Sequence, residues 1–257
     1  GVNYHSTFNV EGKMKYNGMV FSTNNYGDLI ITEYVNSRKV RVKFIETGYE
    51  TFTSICHIRK GSVKDRLKPT VCGVGIIGNE LSEVNGTPLK EYTLWLAMIH
   101  RCYGKKSHNN TYKDCFVSDN FKYYPYFKQW CNNQTGFINQ GWELDKDILV
   151  KGNKIYSEDT CCFVPAEINT LVVKNDNRRV KHSVRTSYHK NHKKFASNLS
   201  IKGKQTHIGY FNTELEAFFA YKKAKEAYIK ALLSKWYGQI DPRVYEVLVR
   251  YEVEITD

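Results

Sequence analysis

Apolar and polar residues alternate along two segments near the start of the chain, at 29–35 and at 40–45. Alternation with a period of two is typical of strands that bury one face and expose the other. Short turns rich in Asn, Ser and Gly separate these runs from their neighbours. Short twisted strands that are connected in this way favour a small closed barrel. We therefore predict an SH3-like β-barrel domain over residues 1–78.

The middle of the chain is predicted to be mostly helical. Largely apolar segments run from Glu91 to Arg101 and from Tyr124 to Cys131, and each has the length of a short helix. A segment of apolar and charged residues follows at 142–149, and a further short helix is predicted from Pro165 to Leu171. These elements form the second predicted domain, which spans residues 79–175.

The last third of the chain predicts three strands followed by a helix. The segments from Lys194 to Ile201 and from Thr206 to Phe211 indicate two of the strands, and a tight turn at Lys202–Lys204 connects them. Thr213, with Glu216 three residues later, has the form of a capping box at the start of a long helix. Small side chains at helical spacing would let the sheet lie close to this helix. They are Ala217, Ala220, Ala224 and Ala227.

The stretch from Arg178 to Lys235, within the third predicted domain (residues 176–257), carries almost all of the excess positive charge. Fourteen lysines and arginines but three acidic residues lie between Arg178 and Lys235, and the whole chain has a net charge of +12. Concentrated positive charge suits a polyanion, because each phosphate contact releases condensed counterions. The alternative is a basic surface that is merely solvated.

The string Ile208-Gly209-Tyr210-Phe211, with Thr213, Glu216-Ala217 and Ala220-Tyr221 after it, resembles the AP2 DNA-binding domain. The resemblance covers the chain from Val184 to Trp236. In that family a three-stranded antiparallel sheet enters the major groove, and a helix supports the sheet from behind. The resemblance thus implies that the chain binds double-stranded DNA, and RNA is the alternative polyanion.

The resemblance and the side-chain chemistry together indicate which residues would contact DNA. Asn is suited to reading adenine and Arg to reading guanine, whereas Lys mostly holds phosphate. Phe195 and His207 stand where the family usually has Trp, and Asn198 stands where an acidic residue is common, so the base preference stays open. The predicted DNA contacts are Arg185, Lys194, Asn198, Lys202, Lys204 and His207.

A second resemblance covers the middle of the chain and extends to most of its length. The segments Trp95-x-x-Met98-x-x-Arg101-Cys102 and Leu144-Asp145-Lys146-Asp147-Ile148 look like those of bacteriophage proteins that pair an HNH-like segment with an AP2 domain. Such proteins are labelled homing-type endonucleases. The resemblance implies an α+β protein with a central His-Me-finger (HNH-like) ββα unit, which acts in the cytoplasm of an infected bacterial host.

The chemistry of an HNH nuclease depends on one divalent cation and on a His that acts as general base for the attacking water. That His usually follows an apolar-Asp step, but here Lys146 follows Leu144-Asp145. On a strand, Asp145 and Asp147 would face the same side and would bind Mg²⁺ or Mn²⁺, and the alternative is a salt-bridged strand end. Asn153 and Asn169 fit the positions of the later asparagines. The candidate catalytic residues are Asp145, Lys146, Asp147, Asn153 and Asn169.

The seven cysteines include no CxxC pair, which favours a reducing compartment over a disulfide framework. Five of them fall in the middle domain, but their spacing matches no standard zinc pattern. Buried thiols are therefore favoured over a structural Zn²⁺ site. No apolar run approaches the length of a membrane span, so we predict no membrane partner.

Two functions are consistent with these patterns. The first is a metal-dependent, site-specific DNA endonuclease or nickase of the HNH or homing type. The second is a sequence-specific DNA-binding regulator or host-interaction factor whose nuclease-like core is catalytically silent. In either case the N-terminal barrel would be an accessory unit that binds a protein partner.

Overall fold

The computed structural model describes residues 16–105, 114–172 and 186–255. These residues form two compact units. The first contains the described residues up to Ile99 together with Lys122–Pro125, and the second contains those of His100–Phe121 and Tyr126–Asp257. Both helices and strands are well represented, so the predicted α+β class is confirmed. No helix in the described ranges combines the length and the apolar character that a bilayer crossing requires.

The first unit is built on a four-stranded antiparallel sheet in which each strand pairs with the next in sequence. In the third strand, alternate residues are fully buried, as the period-two pattern predicted. A short helix, α1 (Ile55–Arg59), then contributes Ile55 and Ile58 to the core beneath the sheet. The strands are β1 (Val20–Ser22), β2 (Asp28–Asn36), β3 (Lys39–Phe44) and β4 (Glu50–Thr53).

The closed barrel that the sequence predicted is not observed in the described residues. Strands β1 and β4 lie at opposite edges of the sheet and do not pair with each other. The sheet buries one face against α1 and against Val63 instead of curling round to close. The core is thus completed by a helix and a loop, which the alternating pattern of the strands could not show.

Two small hairpins lead from this sheet to a longer helix. They consist of β5 (Pro69–Val71) with β6 (Gly75–Ile76) and of β7 (Glu83–Val84) with β8 (Thr87–Pro88). The longer helix α2 (Lys90–Tyr103) confirms the predicted helix, and its Trp95 is fully buried against the Tyr124 ring.

Short elements of the middle region surround an aromatic cluster in the second unit. The cluster joins the rings of Phe121, Phe127, Trp130 and Phe163, with neighbouring centroids 4.8 to 5.8 Å apart. The second predicted helix is confirmed as α4. The elements are β9 (Phe116–Val117), α3 (Asp119–Lys122) and α4 (Tyr124–Asn132).

The predicted ββα order is present further along the second unit. Strand β10 (Trp142–Asp145) pairs antiparallel with β12 (Cys162–Pro165), and α5 (Ala166–Val172) follows directly. The long connection between the two strands contains β11 (Ile155–Tyr156), which pairs in parallel with β9. This arrangement is a strand order only and does not by itself identify an HNH fold.

The C-terminal part has the three strands and the helix that the sequence predicted. Strands β13 (Thr186–His189), β14 (Lys194–Ile201) and β15 (Lys204–Phe211) form one antiparallel sheet in that order. The two turn residues between β14 and β15 both have positive φ, 50° for Lys202 and 77° for Gly203. Positive φ at both central positions is the type I′ geometry that matches the twist of a hairpin.

A long helix, α6 (Glu214–Trp236), packs against this sheet, and α7 (Pro242–Val249) follows it. The predicted capping box is confirmed, because the Thr213 side chain accepts from the Glu216 N–H and the Glu216 side chain accepts from the Thr213 N–H. Such a cap contributes about 1 kcal/mol to helix stability.

One hydrophobic core joins the ββα unit to the end of α6 and to α7. Cys162 and Ile168 of the ββα unit are fully buried in it together with Leu233 of α6 and Val244 of α7. The other buried members are Ile148, Val164, Ile229, Ile240 and Leu248. The ββα unit and the two C-terminal helices therefore share one core.

Glu167 of α5 strengthens this junction with a partly buried carboxylate. Its Oε1 accepts from Lys235 Nζ at 2.5 Å and from Trp236 Nε1 at 2.6 Å, and its Oε2 lies 3.7 Å from Lys202 Nζ. Burial acts to raise the pKa of Glu167, but these hydrogen bonds and the lysine charges outweigh it and lower the pKa. The carboxylate thus links α5, the end of α6 and the β14–β15 turn.

We expect Glu167→Gln to lower the free energy of unfolding by about 1–3 kcal/mol at neutral pH, because charge-assisted hydrogen bonds are lost at a side chain that is 16% exposed. A carboxyl whose pKa is lowered on folding stabilises above its ordinary pKa, and this contribution is lost as the pH falls through the lowered value. The difference should therefore shrink at about pH 3.

Urea unfolding of both proteins at the two pH values measures this difference. Glu246→Gln is the matched control, since Glu246 pairs with Arg250 on the surface with a 63% exposed side chain. An equal difference for Glu167→Gln at both pH values would contradict the linkage to its charge.

Candidate nucleic-acid interface

The three-stranded sheet has one face covered by α6. Leu199 of β14 is buried with Phe218 and Tyr221 of that helix, and Ile201 and Ile208 pack against the same cluster. Because side chains alternate across a strand, the residues between them point to the opposite face. We call this opposite face of β13–β15 the outer face. Asn198 and Ser200 belong to the outer face, because they alternate with Leu199 along β14, as the sequence predicted.

Asn198 and His207 form a cross-strand pair on the outer face. They are directly opposite in the register of β14 and β15, and Asn198 Oδ1 lies 3.1 Å from His207 Nδ1. The register shifts between Ser197 and Asn198, where Ile208 of β15 has no opposite residue. A bulge of this kind re-aims the neighbouring side chains, and here it brings the imidazole level with the amide.

Tyr210 connects this pair to two further histidines. Its ring centroid lies 4.6 Å from that of His207, 4.5 Å from His192 and 5.4 Å from His189. His189 and His192 also contact each other, at 4.7 Å. The Nδ1 atom of His189 is buried, and no hydrogen-bond partner for it occurs among the described residues. The sequence-based site omitted Tyr210, His189 and His192, although their ring chemistry and their place in the basic stretch were visible.

The predicted cations differ in where they point. Lys194 and Lys204 are exposed, at the start of β14 and of β15. Lys194 shares the outer face with Asn198, whereas Lys204 is opposite Ile201 in the register and so shares the face that α6 covers. Lys202 lies in the turn and approaches Glu167 of α5, which draws its ammonium away from the outer face. Arg185, which was expected to read guanine, lies outside the described residues. No acidic residue occurs between Thr186 and Phe211, so the sheet has uniformly positive charged groups.

The candidate catalytic residues lie mostly in the turn that follows β10. The strand ends at Asp145, whose Oδ1 accepts hydrogen bonds from the N–H groups of Asp147 and Ile148, both at 2.7 Å. The alternation that would place Asp145 and Asp147 on one side therefore stops at Asp145. Burial raises the pKa of the Asp145 carboxyl, against the opposing effect of the two backbone hydrogen bonds.

Lys146 is the most enclosed charge of this turn, with 8% of its side chain exposed. Its Nζ donates to both carboxylate oxygens of Asp147, at 2.7 and 2.8 Å, and to the backbone oxygen of Asn153 at 3.1 Å. The ring of Tyr156 lies 5.6 Å from the same nitrogen. The alternative of a salt-bridged strand end is thus present in the geometry.

The two candidate asparagines do not share an environment. Asn153 uses its amide on the local backbone, because Nδ2 donates to the oxygens of Lys146 and Ile155 at 2.8 and 2.6 Å. Asn169 of α5 instead donates from Nδ2 to Glu143 Oε2. Its Oδ1 is buried, and no partner for it occurs in the described part of the chain. The structure thus brings Asp145, Lys146, Asp147 and Asn153 together in one turn.

These residues do not fit a metal site formed by Asp145 and Asp147. The Lys146 ammonium occupies the bidentate side of Asp147, where a divalent cation would have to bind. Asp145 directs one oxygen at two backbone N–H groups. Within residues 16–105, 114–172 and 186–255, no group of three or more His, Cys, Asp or Glu is placed to hold a metal ion.

Four of the five thiols of the middle region are buried, and Cys102 is half-buried. Cys115, Cys131, Cys161 and Cys162 are buried, and none of the seven cysteines forms a disulfide. Burial raises the pKa of Cys102 to about 11 and that of Cys161 to about 12. A raised thiol pKa disfavours the thiolate that binds metals and attacks electrophiles.

No family model, curated protein or solved structure matches this chain. The resemblances to AP2 domains and to HNH nucleases therefore remain predictions from the motifs.

We expect Lys146→Met to lower the free energy of unfolding by about 1–3 kcal/mol, because it leaves the Asp147 carboxylate and the Asn153 carbonyl without their shared donor. Chemical denaturation of the full chain measures this effect. Lys154→Met is the control, since Lys154 is an exposed residue directly before β11. This substitution should change the free energy of unfolding by less than about 0.5 kcal/mol. Equal stability of the two variants would contradict a structural role for the Lys146 ammonium.

Proposed function

We propose that this protein binds double-stranded DNA through the outer face of β13–β15. The observation that carries the proposal is the exposed Asn198–His207 pair on a sheet that has no acidic residue from Thr186 to Phe211. Helix α6 supports the sheet from behind, so the outer face is the side that is open to a ligand. A small, rigid and positively charged sheet with short polar readers at its centre fits this role.

The dimensions and chemistry of the outer face favour duplex DNA over RNA. The major groove of B-DNA is about 12 Å wide and admits a β-ribbon, whereas that of A-form RNA is too deep and narrow for side chains to read. Amide and imidazole groups can then reach base edges, and Lys194 at the start of β14 can hold a phosphate. Base contacts would provide specificity, and phosphate contacts would provide most of the affinity.

We further propose that the Lys146 turn serves the fold, so that the protein is a catalytically silent, sequence-specific DNA-binding regulator or host-interaction factor. The position that needs a general base holds the Lys146 ammonium, which has no lone pair to accept a proton and which donates to Asp147 and to the Asn153 oxygen. A metal-dependent endonuclease or nickase is the second candidate. The ββα order of β10, β12 and α5 favours it.

We expect Asn198→Ala and His207→Ala each to weaken binding to a selected duplex by about fivefold to 150-fold, because each removes a base-reading group worth about 1–3 kcal/mol. Lys194→Ala should instead weaken binding to all sequences and reduce the salt slope by about one. Fluorescence anisotropy with a duplex selected from a random library measures both effects.

Lys64→Ala is the control for these variants, since Lys64 is an exposed lysine of the first unit. If Asn198→Ala and His207→Ala bound the selected duplex as tightly as Lys64→Ala did, the outer face would not be the DNA interface.

The two candidate functions differ in DNA cleavage. We expect a supercoiled plasmid to stay intact when it is incubated with the protein and Mg²⁺ or Mn²⁺, while the same preparation retards DNA on a gel. Metal-dependent nicks that are lost in a folded Lys146→Ala variant would overturn the silent assignment and establish a nuclease at this turn. Circular dichroism of the variant shows whether it is folded.

A further inference from the structure

The Asn198–His207 pair presents a hydrogen-bonding pattern that depends on the charge of the imidazole. One hydrogen bond, between Asn198 Oδ1 and His207 Nδ1 at 3.1 Å, joins the two side chains. Each side chain then has one more polar group directed away from that bond: the other amide atom of Asn198 and Nε2 of His207. Together these two groups form the central polar reader of the outer face.

In every neutral arrangement the pair offers one donor and one acceptor. If His207 Nδ1–H donates to the Asn198 oxygen, the amide NH₂ is the remaining donor and Nε2 is the remaining acceptor. If the amide is turned over and its NH₂ donates to Nδ1, then Nε2–H is the remaining donor and the amide oxygen is the remaining acceptor. Both tautomers therefore offer one donor and one acceptor, with the donor on Asn198 in the first and on His207 in the second.

The protonated imidazole changes this pattern. Both ring nitrogens are then donors, so Nδ1–H must donate to the Asn198 oxygen. The amide NH₂ and Nε2–H remain, and the pair now offers two donors. Histidine is the side chain whose charge changes between about pH 5 and 8, so both patterns fall within an accessible range.

The two patterns complement different purines. Adenine presents a donor at N6 and an acceptor at N7 in the major groove, whereas guanine presents two acceptors at O6 and N7. We propose that Asn198 and His207 together set the base preference of this sheet, for adenine when His207 is neutral and for guanine when it is protonated. The proposal rests on the proposed DNA-binding function and adds the reader and its switch.

The titratable groups around the pair change the net charge of the sheet, but not the donors and acceptors that Asn198 and His207 present. On the outer face, His207 contacts Tyr210, which contacts His192 of the β13–β14 turn and His189 of β13. The lysines of the same strands and turns are Lys190, Lys193, Lys194, Lys202 and Lys204. Helix α6 packs on the other face. Protonation of His189 or His192 would thus raise affinity for any duplex without changing which atoms the Asn198–His207 pair presents.

Selection of random duplexes by the full chain at about pH 8 and at about pH 5.5, followed by sequencing, tests the proposal. We expect one position of the selected site to change from adenine at the higher pH to guanine at the lower pH. Anisotropy with a matched pair of duplexes that differ at that position should show a change of preference of at least about tenfold.

Two variants separate the reader from its neighbours. His207→Gln carries a neutral amide at all pH values, so it should keep one base preference throughout. His192→Gln removes a histidine that contacts Tyr210 but not Asn198, so it should keep the switch and lower the pH dependence of overall affinity. A switch that is abolished in His192→Gln but retained in His207→Gln would overturn the assignment.

The remaining outcomes are also distinct. Selective binding with the same base at every position at both pH values would overturn the switch and leave the DNA-binding function in place. Failure of the wild-type protein to retain any duplex at either pH would overturn the proposed function itself.

Discussion

The burial of apolar side chains from α6 and α7 among those of β10, β12 and α5 is the interaction on which the second unit depends. Ile168, Leu233 and Val244 come from three separate elements and are all excluded from water. Each fully buried aliphatic side chain of this kind contributes about 1.5–3 kcal/mol. Glu167 adds a polar contact at the edge of this core, where it receives Lys235 and Trp236. The sheet that we propose for DNA binding is held by the other end of the same helix. Its orientation thus depends on a core to whose buried residues β13–β15 contribute none.

The outer face and the Lys146 turn use polar groups in opposite ways. In the turn, the carboxylates, the ammonium and the Asn153 amide form hydrogen bonds with one another and with the backbone. These groups thus stabilise the turn itself. On the outer face, Asn198 and His207 share one bond and keep further hydrogen-bonding capacity in an exposed position. A binding site needs polar groups that a partner can still satisfy, and this contrast is why we place function on the sheet.

The local pattern of the sequence predicted those parts of the fold that local pattern controls. The alternation of β14, the tight turn at Lys202–Gly203 and the Thr213 cap are all set by neighbouring residues, and the structure has each of them. Contacts between distant residues were not accessible in this way. The failure of the N-terminal sheet to close depends on α1 and Val63 filling its open side. The approach of Lys202 to Glu167 and the level pairing of Asn198 with His207 depend on tertiary packing and on a bulge. Candidate residue types could thus be predicted, but not which of them remain available to a ligand.

The length of α6 has a consequence for how such a protein could be recombined. At 23 residues it is about 35 Å long, and it begins under the β13–β15 sheet and ends inside the core of the ββα unit. Dividing the chain near residue 175 would not give two pieces that each retain a complete hydrophobic core, because α6 contributes buried residues to both cores. An exchange of the proposed binding face would therefore have to replace the strands alone, from Thr186 to Phe211, and keep α6 with the ββα unit on which it packs.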